Sequence, residues 1–326
     1  MTQPGAELRK QGGRLLVVFQ RNVLMTFPLR DVQRVVLLAP VQVSAAATRA
    51  LLEAGIPVLY CSLRGTCYGI LSAGCEDVEC WLAQVHCWQD MNYRLAIARS
   101  LVQTKVRHQR SLLRRHARNH PDPLLAEAAE QLTRLLATLE ERSTLDQLRG
   151  IEGRAAAVYF GVLGKCIRQE GLVFNGRNRR PPKDPVNALL SFGYMLLLGE
   201  VNSALMSQGL QVGLGFLHEP SRRRQALALD LLEVFRQPVV DRLALSLFNR
   251  KIFAPRDFDT VSGGVFLKRE SLQRYLLIYE RTITSSFRSG EEEKPVTYRD
   301  IIRKQAAGLR KSLNEGEIWR LPYWEL

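Results

Sequence analysis

The stretch Ala96-Ile97-Ala98-Arg99-Ser100-Leu101-Val102-Gln103-Thr104-Lys105-Val106 decides the fold class. It lies inside a run from Trp81 to Arg118 that contains neither proline nor glycine. Apolar residues recur along that run in steps of three and four, the signature of a long amphipathic helix. Toward the C-terminus, Leu124–Arg142, Leu145–Arg168, Val186–Gln208 and Arg222–Arg250 keep this period, and Pro238 is expected to kink or break the last. Tyr298–Leu313 adds a further amphipathic segment before the polar-aromatic stretch Trp319–Leu326. Toward the N-terminus the period changes at Ser72-Ala73-Gly74. Before it, Arg14–Gln20 (after a Gly12-Gly13 turn), Val23–Phe27, Val32–Leu38 and Pro57–Cys61 are short runs rich in β-branched residues. One helix interrupts them, with Ser44 as N-cap, Ala45–Ala54 as its body and Gly55 as its stop. Arg64-Gly65-Thr66 is expected at the tip of a hairpin joining Val58–Cys61 to Tyr68–Leu71. The fold class is therefore α+β: a small β-rich N-terminal domain over residues 1–74, then a larger all-α domain over 75–326.

The chain has 326 residues, 46% of them hydrophobic and 24% charged, which excludes a disordered, collagenous or disulfide-stapled protein. Lys plus Arg number 46 against 32 acids, a net charge of +14, and such an excess points to a polyanionic partner. Residues 81–326 carry 38 basic and 26 acidic side chains, so the excess sits in the helical part. No run approaches the ~20 uninterrupted apolar residues of a membrane span, and Met1–Gly5 has no secretory character, so a cytoplasmic location is expected. Five of the six cysteines (Cys61, Cys67, Cys75, Cys80, Cys87; the sixth is Cys166) fall between 61 and 87, but none forms a Cys-x-x-Cys pair. They read as reduced thiols, with little support for zinc.

Three basic clusters suit a phosphate backbone. From Met91 to Pro121 there are eight Arg or Lys, including Lys105, Arg107, Arg110 and Arg114, and no acid. Phe174–Lys183 is an irregular loop carrying Arg177, Arg179 and Arg180, whose guanidinium forks fit a bent or branched backbone. Arg222, Arg223 and Arg224 form the third cluster. Close to it, His218 ends the glycine-punctuated run Gly213–His218. Asp230 and Glu233 then fall on one face of an otherwise apolar helix, where two acids are costly unless paired or metal-bound. Glu152 is a third acid in an apolar setting, and it also reads as an ordinary acid near a helix N-terminus. One imidazole and two or three carboxylates would suit Mg2+ or Mn2+.

The chain resembles the CRISPR-associated protein one family. The residues that carry the resemblance are Pro28-Leu29 leading into Val35-Val36-Leu37, Gly55-Ile56-Pro57-Val58, Gly65–Gly69, Ile151-Glu152-Gly153-Arg154-Ala155-Ala156, Arg177–Leu190, Gly215-Phe216-Leu217-His218 and Leu227–Glu233, in that order. The resemblance implies a homodimer formed through the β-rich domain, a catalytic helical domain, and double-stranded DNA, both protospacer and CRISPR repeat, as substrate. It also implies association with CRISPR-associated protein two in a heterohexameric integration complex. Its metal ligands fall on Glu152, His218 and Glu233, with Asp230 as a further catalytic acid, and its reaction is metal-dependent joining of 3′-hydroxyl ends to the repeat. Arg223-Arg224-Gln225-Ala226 departs from the family's usual Gly-Arg and Ser after the histidine. Whether His218 is ligand or general acid stays open. Two other classes stay open as well: a stand-alone nuclease of branched repair intermediates, and a non-catalytic architectural DNA binder.

Overall fold

The computed structural model describes residues 1–63, 66–73, 77–288, 294–319 and 321, and the chain divides into two units, Met1–Cys75 and Glu76–Leu326. Alternation builds the first. In β2 (Arg14–Phe19), Leu15 and Val17 are buried against Leu8 of β1 (Glu7–Gln11), and the two strands pair antiparallel across the turn at Gly12. β3 (Asn22–Pro28) continues the antiparallel ribbon; β4 spans Val35–Leu37, and the two-residue β5 (Gln42–Val43) lies parallel to β1, giving the order β3-β2-β1-β5. Helix α1 (Ala45–Glu53), capped by the Ser44 hydroxyl and followed by Gly55 at φ +63, returns the chain so that β6 (Val58–Cys61) runs parallel to β4. β7 (Cys67–Leu71) pairs antiparallel with β6. Leu37, Ala47, Leu51, Ile56 and Val58 join Leu8, Leu15 and Val17 in one core.

Some expected elements shift, for local reasons. The strand expected over 32–38 shortens to 35–37 because residues 29–31 close a 3-10 turn, with Val32 N–H donating to Leu29 C=O. β1 and β5 are additions: one is mostly polar and the other too short to show a period. The expected hairpin tip falls partly outside the described residues, at 64 and 65.

In the second unit the run 81–118 is two helices, α2 (Val78–Gln89) and α3 (Met91–Asn119). Asp90 alone divides them: its backbone is extended and its carboxylate accepts from Asn92 and Tyr93 N–H. α4 (Pro123–Ala137), α5 (Leu145–Val162) and α6 (Pro185–Ser207) follow, α5 and α6 capped by Thr144 and Asp184. The segment 222–250 resolves into α7 (Ala226–Phe235), a π-helical turn over Arg236–Asp241 that contains Pro238, and α8 (Arg242–Asn249). The unit is not wholly helical. β8 (Phe258–Val261) and β9 (Gly264–Leu267) form a hairpin turned by Ser262 and Gly263, both at positive φ. α9 (Arg269–Thr284) is a further addition, and α10 (Tyr298–Glu315) starts on a Thr297/Asp300 capping box. Residues 289–293, 320 and 322–326 lie outside the described residues, so most of the stretch expected over Trp319–Leu326 does too.

α3 packs against α4, α5 and α7, and α6 against α7 and α10. By length and composition alone α6 is apolar enough to cross a membrane, yet most of that stretch is buried within the unit. Gly193 of α6 permits its closest contact, because a Cβ there would stand 2.5 Å from Tyr275 Oη and 2.6 Å from Val240 Cγ1. Gly193→Ala is expected to lower the unfolding free energy by about 1–3 kcal/mol through overpacking. Urea titration checks this, and an unchanged midpoint would refute the close packing of α6 on the π turn.

Candidate active site

Three helices bring charge into the apolar interior of the helical unit. On α3, Lys105 falls on the same stripe as Ile97, Ala98, Leu101, Val102, Gln109 and Leu112, and its side chain is 4% exposed. On α5, Glu152 turns toward α3, and its carboxylate meets the Lys105 ammonium at Oε1. On α7, Glu233 is 5% exposed; its Oε2 lies 2.6 Å from the same ammonium, and its Oε1 lies 3.0 Å from Arg236 Nη1. Glu233 Oε2 has no hydrogen-bond partner of good geometry among the described residues, although it faces the ammonium closely. Burial would raise the pKa of Glu233, but Arg236 and Lys105 outweigh it and hold the carboxyl down at about 2. A half-buried and a buried carboxylate thus share one cation, and a guanidinium backs the second of them.

His218 stands beside this pair, near enough to add to the field that keeps Glu233 ionised. Its position is set by Asp230, which is fully buried. Asp230 accepts from the backbone N–H groups of Phe216 (2.6 Å), Leu217 (3.0 Å) and His218 (2.9 Å), and from His218 Nδ1–H at 2.6 Å. This fixes the imidazole tautomer and leaves Nε2 for chemistry. Gly215 makes the approach possible, since a Cβ there would stand 2.7 Å from the Ala226 carbonyl carbon and 2.8 Å from Asp230 Oδ2. The loop is pinned from outside as well. Trp88 Nε1–H donates to Gly215 C=O, Arg94 to Phe216 C=O and Glu219, and Arg149 to Leu217 C=O and Glu219.

A second buried network lies behind Arg236. Its guanidinium stacks 4.8 Å from the Tyr194 ring centroid, with Arg177 5.3 Å from the same ring. Tyr194 and Tyr159 both donate their hydroxyls to Asp241, which is fully buried. Burial pushes the Asp241 carboxyl up to about 6, against the opposing pull of both tyrosines and both arginines.

The sequence expectations divide here. Glu152 and Glu233 come together and His218 stands near them. Yet among the described residues no three His, Cys, Asp or Glu side chains converge at metal-ligand distance, because the ammonium lies between the acids. Asp230, expected as a catalytic acid, is engaged in positioning His218. Lys105, expected on DNA, is turned inward. Arg177 folds back onto Asn187 and Ser191 of α6, and Arg114 pairs with Glu130 on α4. Arg179, Arg180, Arg223 and Arg224 are exposed, while Arg107 and Arg110 are half-buried. Arg149, Arg236, Tyr194 and Asp241 went unread; only Asp241, an acid closing the apolar run Pro238-Val239-Val240, left a signal. On the opposite side of α5, Arg134, Arg142 and Arg154 line a groove of about 520 Å3 that contains no acid.

The donor set fits a hard divalent cation. Two carboxylates are already held around a positive charge, one of their oxygens lacks a hydrogen-bond partner of good geometry, and an imidazole nitrogen lies close by.

The family model for CRISPR associated protein Cas1 matches residues 1–281. A CRISPR-associated endonuclease Cas1 of Thermus thermophilus is 40% identical over 283 residues, covering 87% of this chain and 85% of that protein. The structure of a Cas1 protein from Thermotoga maritima superposes with a TM-score of 0.83 at 26% identity, covering 99% of this chain and 98% of the other. A casposase bound to integration product shares the fold, with a TM-score of 0.86 at 21% identity and coverage of 99% and 92%.

The buried Asp241 gives a pH signature. Its folded value near 6 exceeds its ordinary value near 3.8, so the folded state holds the proton more tightly between them. The stability of the native protein minus that of Asp241→Asn is expected to fall as pH rises from about 4 to about 6, and to level off above. Thermal unfolding across this range measures it; a difference that is flat or rising contradicts the assignment.

Proposed function

The chain belongs to the CRISPR-associated Cas1 family, and we propose that it is the metal-dependent integrase and endonuclease of CRISPR adaptation, joining 3′-hydroxyl ends of short protospacer duplexes to the CRISPR repeat by transesterification. One observation carries this reading. Glu152 and Glu233, from different helices, converge on the Lys105 ammonium, Glu233 buried and Glu152 half-buried, with His218 held beside them by Asp230. Binding DNA gives no reason to bury carboxylates in a basic protein, where they repel phosphate.

Glu152, Glu233 and His218 Nε2 would hold Mg2+ or Mn2+. When bound, the ion stabilises charge on the phosphoryl group under attack and favours deprotonation of the attacking hydroxyl. The protein's own groups prepare the place. Asp230 accepts from His218 Nδ1–H, which leaves Nε2 as the ring nitrogen that could meet a cation. Arg236 keeps Glu233 ionised while burial excludes water around it. The clamps from Trp88, Arg94 and Arg149 hold the 215–219 loop so that His218 is in position before substrate arrives.

DNA binding falls to the cations left exposed, Arg179, Arg180, Arg223 and Arg224, together with the groove lined by Arg134, Arg142 and Arg154. Such contacts read phosphate and position the duplex, so choice of sequence rests on DNA shape and on partners. In the N-terminal unit, Val23, Leu24, Met25 and Phe27 are exposed together along β3. This apolar strand supports assigning the homodimer contact to the β-rich unit; Cas2 would bridge two such dimers.

Glu152→Ala, His218→Ala and Glu233→Ala are each expected to lower joining of a 3′-hydroxyl duplex to a repeat-bearing plasmid by about 100-fold or more. DNA binding should be retained, and chelator should abolish joining by the native protein. Gel analysis of joined product with Mg2+ or Mn2+ and Cas2 present reads this. Full joining by any one variant removes that residue from the site, and chelator-indifferent DNA binding with no joining by the native protein identifies an architectural binder.

A further inference from the structure

The inward position of Lys105 rests on no surface role, and it deepens the reading just given. We propose that the Lys105 ammonium and the divalent cation are alternative occupants of one seat, so that metal loading at Glu152 and Glu233 expels the ammonium. Lys105 touches Glu152 Oε1 and lies 2.6 Å from Glu233 Oε2, with its side chain 4% exposed. An ion bound by oxygens at about 2.0–2.1 Å has no room on both carboxylates while the ammonium stays between them. Charge agrees with exchange rather than addition. Two carboxylates balance Lys105 and Arg236, so a divalent ion added without displacement would leave a large uncompensated positive charge in a buried place.

Of the two resident cations, Lys105 is the one built to leave. Arg236 is fixed by its contact with Glu233 and by stacking on Tyr194, which is itself tied to Asp241. Lys105 reaches the seat on a flexible four-carbon stem, and among the described residues its ammonium pairs with the two carboxylates. Without metal, the ammonium keeps the acids from repelling one another and keeps them facing the seat. With metal, the same ammonium is released but stays tethered to α3. Lys105 is thus a positioning residue that also sets metal affinity by competing for its site.

The test compares Mn2+ binding by the full-length native chain, Lys105→Met and Glu152→Ala, reading free Mn2+ by electron paramagnetic resonance. Exchange predicts that Lys105→Met binds Mn2+ about tenfold more tightly than the native chain. It also predicts a lower unfolding temperature without metal and a larger gain on adding Mn2+. Equal or weaker Mn2+ affinity in Lys105→Met overturns the exchange while leaving metal dependence standing. Absence of Glu152-dependent Mn2+ binding in the native chain overturns both. Should Lys105→Met fail to fold, the native chain still decides. Acetic anhydride labelling of Lys105, mapped by mass spectrometry, should rise when Mg2+ replaces chelator; unchanged labelling overturns the exchange.

Discussion

Two carboxylates side by side, Glu233 buried and Glu152 half-buried, require a cation between them, and the helical unit is organised around that requirement. Glu152 comes from α5 and Glu233 from α7, and both helices pack on α3, whose Lys105 supplies the charge. Leaving the buried Glu233 without its partner charge costs several kcal/mol, about 3–5 in comparable buried pairs. The packing of α3, α5 and α7 and the chemistry of the site are therefore the same constraint seen at two scales. Arg236, Tyr194 and Asp241 extend it outward by holding Glu233 from behind.

The histidine is prepared in a different way, through the backbone. Asp230 ties together three successive amides and the imidazole, and arginines from α3 and α5 hold the carbonyls of the same segment. In the proposed integration reaction, where a DNA end and a repeat would meet with little covalent help from protein, such prior alignment is the main contribution side chains offer.

Much of this was legible in the sequence, and the limits are instructive. Asp230 and Glu233 share a helix face at i, i+3, so their common placement was readable, but their division of labour was not: one points at loop amides and the other at Lys105. The excess charge of the run 91–121 suggested a DNA-facing surface. The helical phase of Lys105 already contradicted this, since it lies on the stripe of Leu101, Gln109 and Leu112. Arg177 misled for a similar reason, because Asn187 and Ser191, ten and fourteen residues on, draw it back onto α6. Among elements, the break at Asp90 lacked glycine or proline and was set by capping alone. β1, β5 and the β8–β9 hairpin were too polar or too short for periodicity to register.

The family resemblance supplied the site residues, and the structure adds how the interior tolerates them: one ammonium and one guanidinium balance two acids, and an aspartate fixes the imidazole. In the proposed active state Glu152, Glu233 and His218 close around a divalent ion. Anomalous diffraction at the manganese edge from crystals soaked in Mn2+ tests it most directly. The account predicts a peak within coordination distance of Glu152, Glu233 and His218 Nε2; bound manganese elsewhere, with these three side chains bare, would contradict it.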